Sequence, residues 1–324
     1  MTCSENKFWE IIDKLDPVIV ELEEGRKKYF WKISLIGIFI GIILILFFKV
    51  LIIVFSFLNF NLFNCILGCL LAFLFLSIKF EDDLRLFKAF ILRDYIKSFK
   101  ENIIKVIFEE LYKENFKSFL YKAKGFISLN EFLDSALFTE YITNKNQLKI
   151  YGDDFVEIKT SDSKIKFSEL HIKNQYKKSK HDPINVFNGL FFVIEFQESF
   201  NCCFGTSISL GSEEIIFDNA EFNELFKVYA DDITQAFRIF SPKILENLSS
   251  FVKNKNITLD FSFINNKLYF TIGRFSKFAK VSLNCNFFEA PLFKSLLDNS
   301  IYEEYYKTFQ LIIDVIEELK SLKN

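Results

Sequence analysis

The chain predicts an α+β protein attached to a membrane-spanning helical hairpin, and three observations carry that expectation. Residues 33 to 78 are almost continuously apolar and carry one charge, Lys49. Helical stripes of apolar residues lie on both sides of this run. After Gly152, short segments rich in Ile, Phe and Val alternate with Gly, Asn, Asp and Ser, the pattern of strands and turns. The expected organisation is a short cytoplasmic N-terminal segment at 1–32, a transmembrane hairpin at 33–78 and a helical segment at 79–150. A cytoplasmic α+β domain follows at 151–324, with a mixed sheet, packed helices and a C-terminal helix.

In the N-terminal segment Phe8, Ile11, Ile12, Leu15 and Ile19 recur at helical spacing. Such a helix either lies on the bilayer surface or packs on the main domain. The apolar run is long enough for two crossings, because one needs about 20 apolar residues. Helices near 33–53 and 58–78 are expected, with the turn either around Lys49 or at the Asn-punctuated stretch Asn59 to Asn64. The run starts too late and is too long for a cleaved signal peptide. Arg26, Lys27, Lys28 and Lys32 precede it, and Lys79, Arg85 and Lys88 follow it. Basic residues on both flanks place both termini in the cytoplasm, so the protein is expected to be multi-pass in a membrane. Gly37 with Gly41, and Gly68 with Ala72, form small-xxx-small pairs that let helix backbones approach closely. Packing within the hairpin is the plainer reading of these pairs, and oligomerisation the sharper one.

From Phe80 to about Tyr121 a second stripe runs through Leu84, Phe87, Ile91, Tyr95, Phe99, Ile103, Ile107 and Leu111. It reads either as a stalk or as helices packed on the domain. Strands are expected at 163–173, 186–196, 204–210, 257–264 and 267–273, the last two joined at Asn265-Asn266, where Asn tolerates positive φ. A helix at 233–240 is capped by Asp231 or Asp232, and Ser241-Pro242 starts another. Ile301, Tyr305, Phe309, Ile312, Ile316 and Leu319 form the stripe of a closing helix.

Composition excludes several functions. With 40 basic and 42 acidic residues, the chain lacks the basic surface of a nucleic-acid-binding protein. Cys3, Cys65, Cys69, Cys202, Cys203 and Cys285 show no metal-ligand spacing, and there are only two His. No metal, cofactor or catalytic residue is expected, and no nucleotide or hydrolase motif occurs. The 44 Phe are read as coding bias.

Three segments, in this order, are similar to a known family. They are Lys166-Phe167-Ser168-Glu169-Leu170, then Phe187-Asn188-Gly189-Leu190-Phe191-Phe192 with Phe196, Phe200 and Thr206, then Glu221-Phe222 through Tyr229, Asp232, Ala236 and Ser241-Pro242. The chain resembles the bacterial domain-of-unknown-function family 3137 over roughly residues 80 to 315. The resemblance implies two N-terminal membrane helices and a cytoplasmic α+β domain, and it implies no reaction. Asn188 stands where the family is expected to carry Lys, and Gln197-Glu198-Ser199 departs from a basic stretch.

The candidate functional residues are Glu169, Gly189 and Asp232, each with a plainer role. Glu169 reads as a solvent-facing strand position, Gly189 as a bulge or close backbone approach, and Asp232 as a helix cap. His171 and His181 flank Lys173, Lys177, Lys178 and Lys180, a run suited to lipid head groups or to a solvated loop. The expected function is a non-enzymatic membrane protein whose partners are the lipid bilayer and an unknown protein or a second copy of itself. A membrane-bound enzyme or sensor using Glu169 or Asp232 is one alternative. An oligomeric transport accessory is the other.

Overall fold

A computed structural model describes residues 5–57, 92–112, 117–142, 144–161, 163–175, 184–197, 203–211, 213–255, 257–273 and 287–321. The chain divides into two compact units. One comprises Met1–Lys14, Ile104–Glu289 and Ser300–Asn324, the other Leu15–Ile103 and Ala290–Asn299.

Helix α1, Glu5–Phe57, is a single helix through the N-terminal segment and the first half of the apolar run. It tolerates Pro17 in its interior. Lys49 therefore lies inside the helix and not in a turn. Phe8, Ile11, Ile12, Leu15 and Ile19 are all buried, so this stripe packs on protein and is not laid on a bilayer. Beyond Phe30 the character reverses. Leu35, Ile38, Phe39, Ile42, Ile45, Leu46 and Val50 are exposed. The expected second crossing, with Gly68 and Ala72, lies outside the described residues. Among those residues nothing lies within 4 Å of a Cβ built on Gly37 or Gly41.

Helix α2 covers 92–112, with a π-helical turn at Lys100–Ile104 and an α-helical end at Lys105–Tyr112. Tyr95, Phe99, Ile103, Ile107 and Leu111 are buried, as expected of a packed helix.

The larger unit is built on one nine-stranded sheet: β1 (Ser118–Lys122), β2 (Leu148–Lys159), β3 (Ser163–Asn174), β4 (Ile184–Phe196), β5 (Cys203–Gly205), β6 (Glu213–Ile215), β7 (Val228–Ala230), β8 (Thr258–Ile264) and β9 (Lys267–Gly273). Their order is β1-β2-β3-β4-β9-β8-β5-β7-β6. Every pairing among them is antiparallel, which corrects the expected mixed sheet. The sheet also starts earlier than expected. β1 and the head of β2 fall within 79–150, the stretch read as helical, because β1 is short and follows a helix stripe without punctuation. The expected strand at 204–210 splits into β5 and a 3₁₀ turn at Ile208–Leu210.

Helices α3 (Leu129–Asp134), α4 (Ala220–Leu225), α5 (Ile233–Ile239), α6 (Pro242–Lys255) and α7 (Asn299–Ser321) complete the unit. Alternation along the strands separates two faces. On one face Phe167, Phe192 and Phe270 stack at 5.0 and 4.3 Å, and Phe108 meets Phe309 of α7 at 4.5 Å. On the other face Phe132 of α3 packs with Leu170, Phe187, Phe191 and Tyr269. A third cluster of Phe204, Phe222, Phe240, Phe261 and Phe263 lies where β5 and β8 meet α4 and α5. Phe supplies nearly all the largest fully buried side chains. Whatever its codon origin, its abundance is used as core.

Candidate functional site

The β2–β3–β4 region gathers several buried polar groups, among them Asp154, Ser168 and Glu169. Register places Asp153 opposite Glu169 and His171 opposite Asn188. Between Asp153 and Val156 strand β2 bulges, and Asp154 takes a left-handed φ of 55°. Extra residues in a bulge bend the strand and re-aim a side chain. Asp154 is accordingly buried, and the Tyr121 hydroxyl of β1 donates to its Oδ1 at 2.5 Å. Gly152 makes the crossing possible, since a Cβ there would lie 2.3 Å from the Glu169 carbonyl oxygen.

Glu169 is the residue that departs most from expectation. It is 2 % exposed, not solvent-facing. It shares the face of Phe167, under the turn that carries Phe287 and Phe288. The Phe287 N–H donates to Oε2 at 3.1 Å, and His171 Nε2 lies 3.2 Å from Oε1. His171 Nδ1 in turn meets Asn188 Oδ1. An imidazole with an oxygen acceptor at each nitrogen is fully satisfied only as an imidazolium. Burial pushes the Glu169 carboxyl above its ordinary range, with the His171 hydrogen bond opposing and Asp153 adding to the rise. The Glu169 hydrogen bond raises His171 most, against burial, and Asn188 and Asp153 act in the same upward direction.

The carboxylates of Asp153, Asp154 and Glu169 approach within 4.8 Å of one another. Such an oxygen set suits a hard divalent cation in principle. Here Tyr121 already engages Asp154, while His171 and the Phe287 amide engage Glu169. What the arrangement does by itself is pair a buried carboxyl with an imidazole beside two further carboxyls.

The other two candidates have structural roles. Gly189 of β4 pairs with Leu170 and with Gly273 of β9, and a Cβ there would lie 2.3 Å from the Ile272 carbonyl oxygen. This is close backbone approach, as expected of a strand glycine. Gly189→Ala is expected to cost about 1–3 kcal/mol through forced backbone movement. Urea denaturation of the full chain reads that cost. Asp232 is the N-cap of α5 and its Oδ1 accepts from Thr234 N–H at 3.0 Å. Asp232→Ala is expected to cost about 1 kcal/mol, and Asp232→Asn far less, because both Asp and Asn cap well. Loss of a cellular phenotype in Asp232→Asn at unchanged stability would contradict a purely capping role. Lys177, Lys178, Lys180 and His181 lie outside the described residues.

A separate cavity of about 360 Å³ is lined by Leu137, Phe138, Glu140, Thr206, Phe226 and Asp260, among others. Burial pushes the Asp260 carboxyl up, Thr206 opposes, and the Glu140 charge adds to the rise. Sequence reading missed Asp153, Asp154 and Tyr121. The one available signal was Gly152-Asp153-Asp154, two acids in succession inside a strand-forming stretch.

An α+β unit of antiparallel strands and packed helices, with a buried acid–imidazole cluster on one sheet face, is the class that the geometry defines. Residues 185–321 match a family model described as "Protein of unknown function (DUF3137)", in agreement with the resemblance carried by the sequence motifs. The match takes in β4 to β9 and α4 to α7, hence Asn188 and Gly189, and stops short of Glu169 and His171. No curated protein and no solved structure matches the chain.

Proposed function

We propose that the protein is anchored in a bacterial cytoplasmic membrane by a helical hairpin. It presents its α+β unit to the cytoplasm, where that unit binds a protein partner or a second copy of itself without catalysis. One observation supports this most. The most apolar 18-residue window of α1 has a mean hydropathy of 2.5, and none of it is buried. A helix apolar on all sides finds its lowest free energy in hydrocarbon, where its backbone bonds are already satisfied internally. Extraction with alkaline carbonate tests the anchor, and the protein is expected to stay with the membrane pellet. Protease added to intact spheroplasts tests the topology, and a C-terminal tag is expected to survive until lysis. Release by carbonate would sink the anchor, and tag loss before lysis would sink the orientation.

A second reading, a membrane-bound sensor or enzyme, is favoured by the Glu169–His171 pair with Asp153 and Asp154 nearby. Loss of a cellular phenotype in Glu169→Gln with unchanged stability would support it over the binding role.

A further inference from the structure

We propose that the loop at residues 290–299 is a second membrane contact, seated in the bilayer interface beside the start of the apolar run. This rests on the anchoring reading above and extends it to a part of the chain far from the hairpin in sequence.

The loop is strapped to α1 just before the apolar run. Glu23 and Arg26 share a helix face and form a two-point ion pair, Nε to Oε2 at 2.7 Å and Nη2 to Oε1 at 2.7 Å. Each also reaches the loop. Arg26 Nη1 donates to the Leu292 carbonyl at 2.6 Å, the Leu296 N–H donates to Glu23 Oε2 at 2.9 Å, and Ser295 Oγ donates to Oε1 at 3.1 Å. Tyr95 of α2 closes the other side, its hydroxyl donating to the Pro291 carbonyl at 2.7 Å. Ala290, Leu292 and Leu296 point inward and are buried.

Phe293 and Leu297 point outward, 71 % and 54 % exposed. Phe293 meets Phe30 edge-on at 6.2 Å. Helical rise places Phe30 about 4.5 Å before Ile33, where the apolar run begins. Trp31, 64 % exposed, is on the next residue of the same turn. Lys27, Lys28 and Lys32 surround it, and Lys32 Nζ sits over the Tyr29 ring at 5.7 Å. Exposed Trp and Phe ringed by Lys at the end of a span form the interfacial belt in which aromatic rings sit at head-group depth. A loop held there by buried hydrogen bonds presents its two large apolar side chains at that depth. Lipid is the occupant this continuity specifies.

The full chain has two Trp, Trp9 and Trp31. The test is indole quenching in reconstituted phosphatidylcholine vesicles whose acyl chains carry bromine near the head group. Three single-indole proteins are compared. Trp9→Phe leaves Trp31 as the reporter. Trp9→Phe/Trp31→Phe with Phe293→Trp, or with Leu297→Trp, reports on the loop. Loss of most of the emission at 293 or 297, alongside quenching at Trp31, is the expected result. Trp31 quenched with both loop positions unquenched would overturn the loop contact and leave the anchor standing, with a protein partner as the remaining cover. If Trp31 is also unquenched, the anchor reading fails and the loop contact with it.

Discussion

Glu23→Ala is expected to cost about 3–5 kcal/mol, the usual consequence of removing one partner of a buried ion pair and leaving the other charge uncompensated. Arg26 is 9 % exposed and Glu23 2 %. Without the carboxylate, the Leu296 amide and the Ser295 hydroxyl also lose their acceptor. Arg26 and its hydrogen bonds hold the Glu23 carboxyl far down, from 4.5 to about 2, against the effect of burial, with the Leu296 amide and Ser295 helping. A fall of that size corresponds to about 3 kcal/mol of folded-state stabilisation. The sign follows from the lowered value. The stabilisation is present above pH 4.5 and is lost as pH falls from 4.5 toward 2. Amide hydrogen exchange in the intact protein is the measurement. Leu296 is expected to lose protection in Glu23→Ala, and in the native chain as pH is lowered through that window. Unchanged protection at Leu296 in the variant would show that the strap does not hold the loop. Arg26 is thus a structural cation first, whereas Lys27, Lys28 and Lys32 of the same flank are exposed.

His171→Asn is the second substitution with a large expected effect, about 2–3 kcal/mol, because it leaves the buried Glu169 without its charged partner and beside the carboxylate of Asp153. The pH dependence runs opposite to that of Glu23. Both Glu169 and His171 are raised, so both contribute stability that is lost as pH climbs. The Glu169 contribution is complete below its ordinary 4.5 and declines above it, as the buried acid ionises. The His171 contribution is complete below its ordinary 6.5 and is lost as pH passes through its raised folded value. At that point Glu169 is left as an anion without an imidazolium. Thermal melts across pH 5 to 9 are expected to show a decline above pH 6.5 that disappears in Glu169→Gln. Proton NMR of His171, with His181 as internal reference, gives the value directly. Titration of His171 at or below 6.5 would rule out the pairing.

Much of the architecture was legible from local pattern. The stripe through Phe8, Ile11, Ile12, Leu15 and Ile19 named a buried face correctly, because apolar spacing of three and four determines a helix face whatever the partner. The hairpin β8–β9 was legible because Asn265 accepts the positive φ, 58°, that the turn requires. The cap at Asp232 followed from residue chemistry within two positions. Glu169 was misread for a matching reason. On a strand with alternating polar residues a carboxylate normally faces water, and nothing near it in sequence says otherwise. Its cover comes from Phe287, 118 residues later, and its partner His171 is held by Asn188 on another strand.

Local residue pattern specifies the apolar run, the helix stripes, the strands from 163 to 273 that have clear turns, and the caps. All of these depend on interactions among residues a few positions apart. That the sheet is antiparallel throughout and begins at β1 emerges from the packed fold. That fold alone converged Asp153, Asp154, Glu169 and His171, and strapped the loop at 290–299 to Glu23 and Arg26. Register and bulges are set between neighbouring strands, and the burial of the ion pairs Glu23–Arg26 and Glu169–His171 is set by segments more than a hundred residues away. Their energy depends on which groups share a dry space, and local spacing does not encode that.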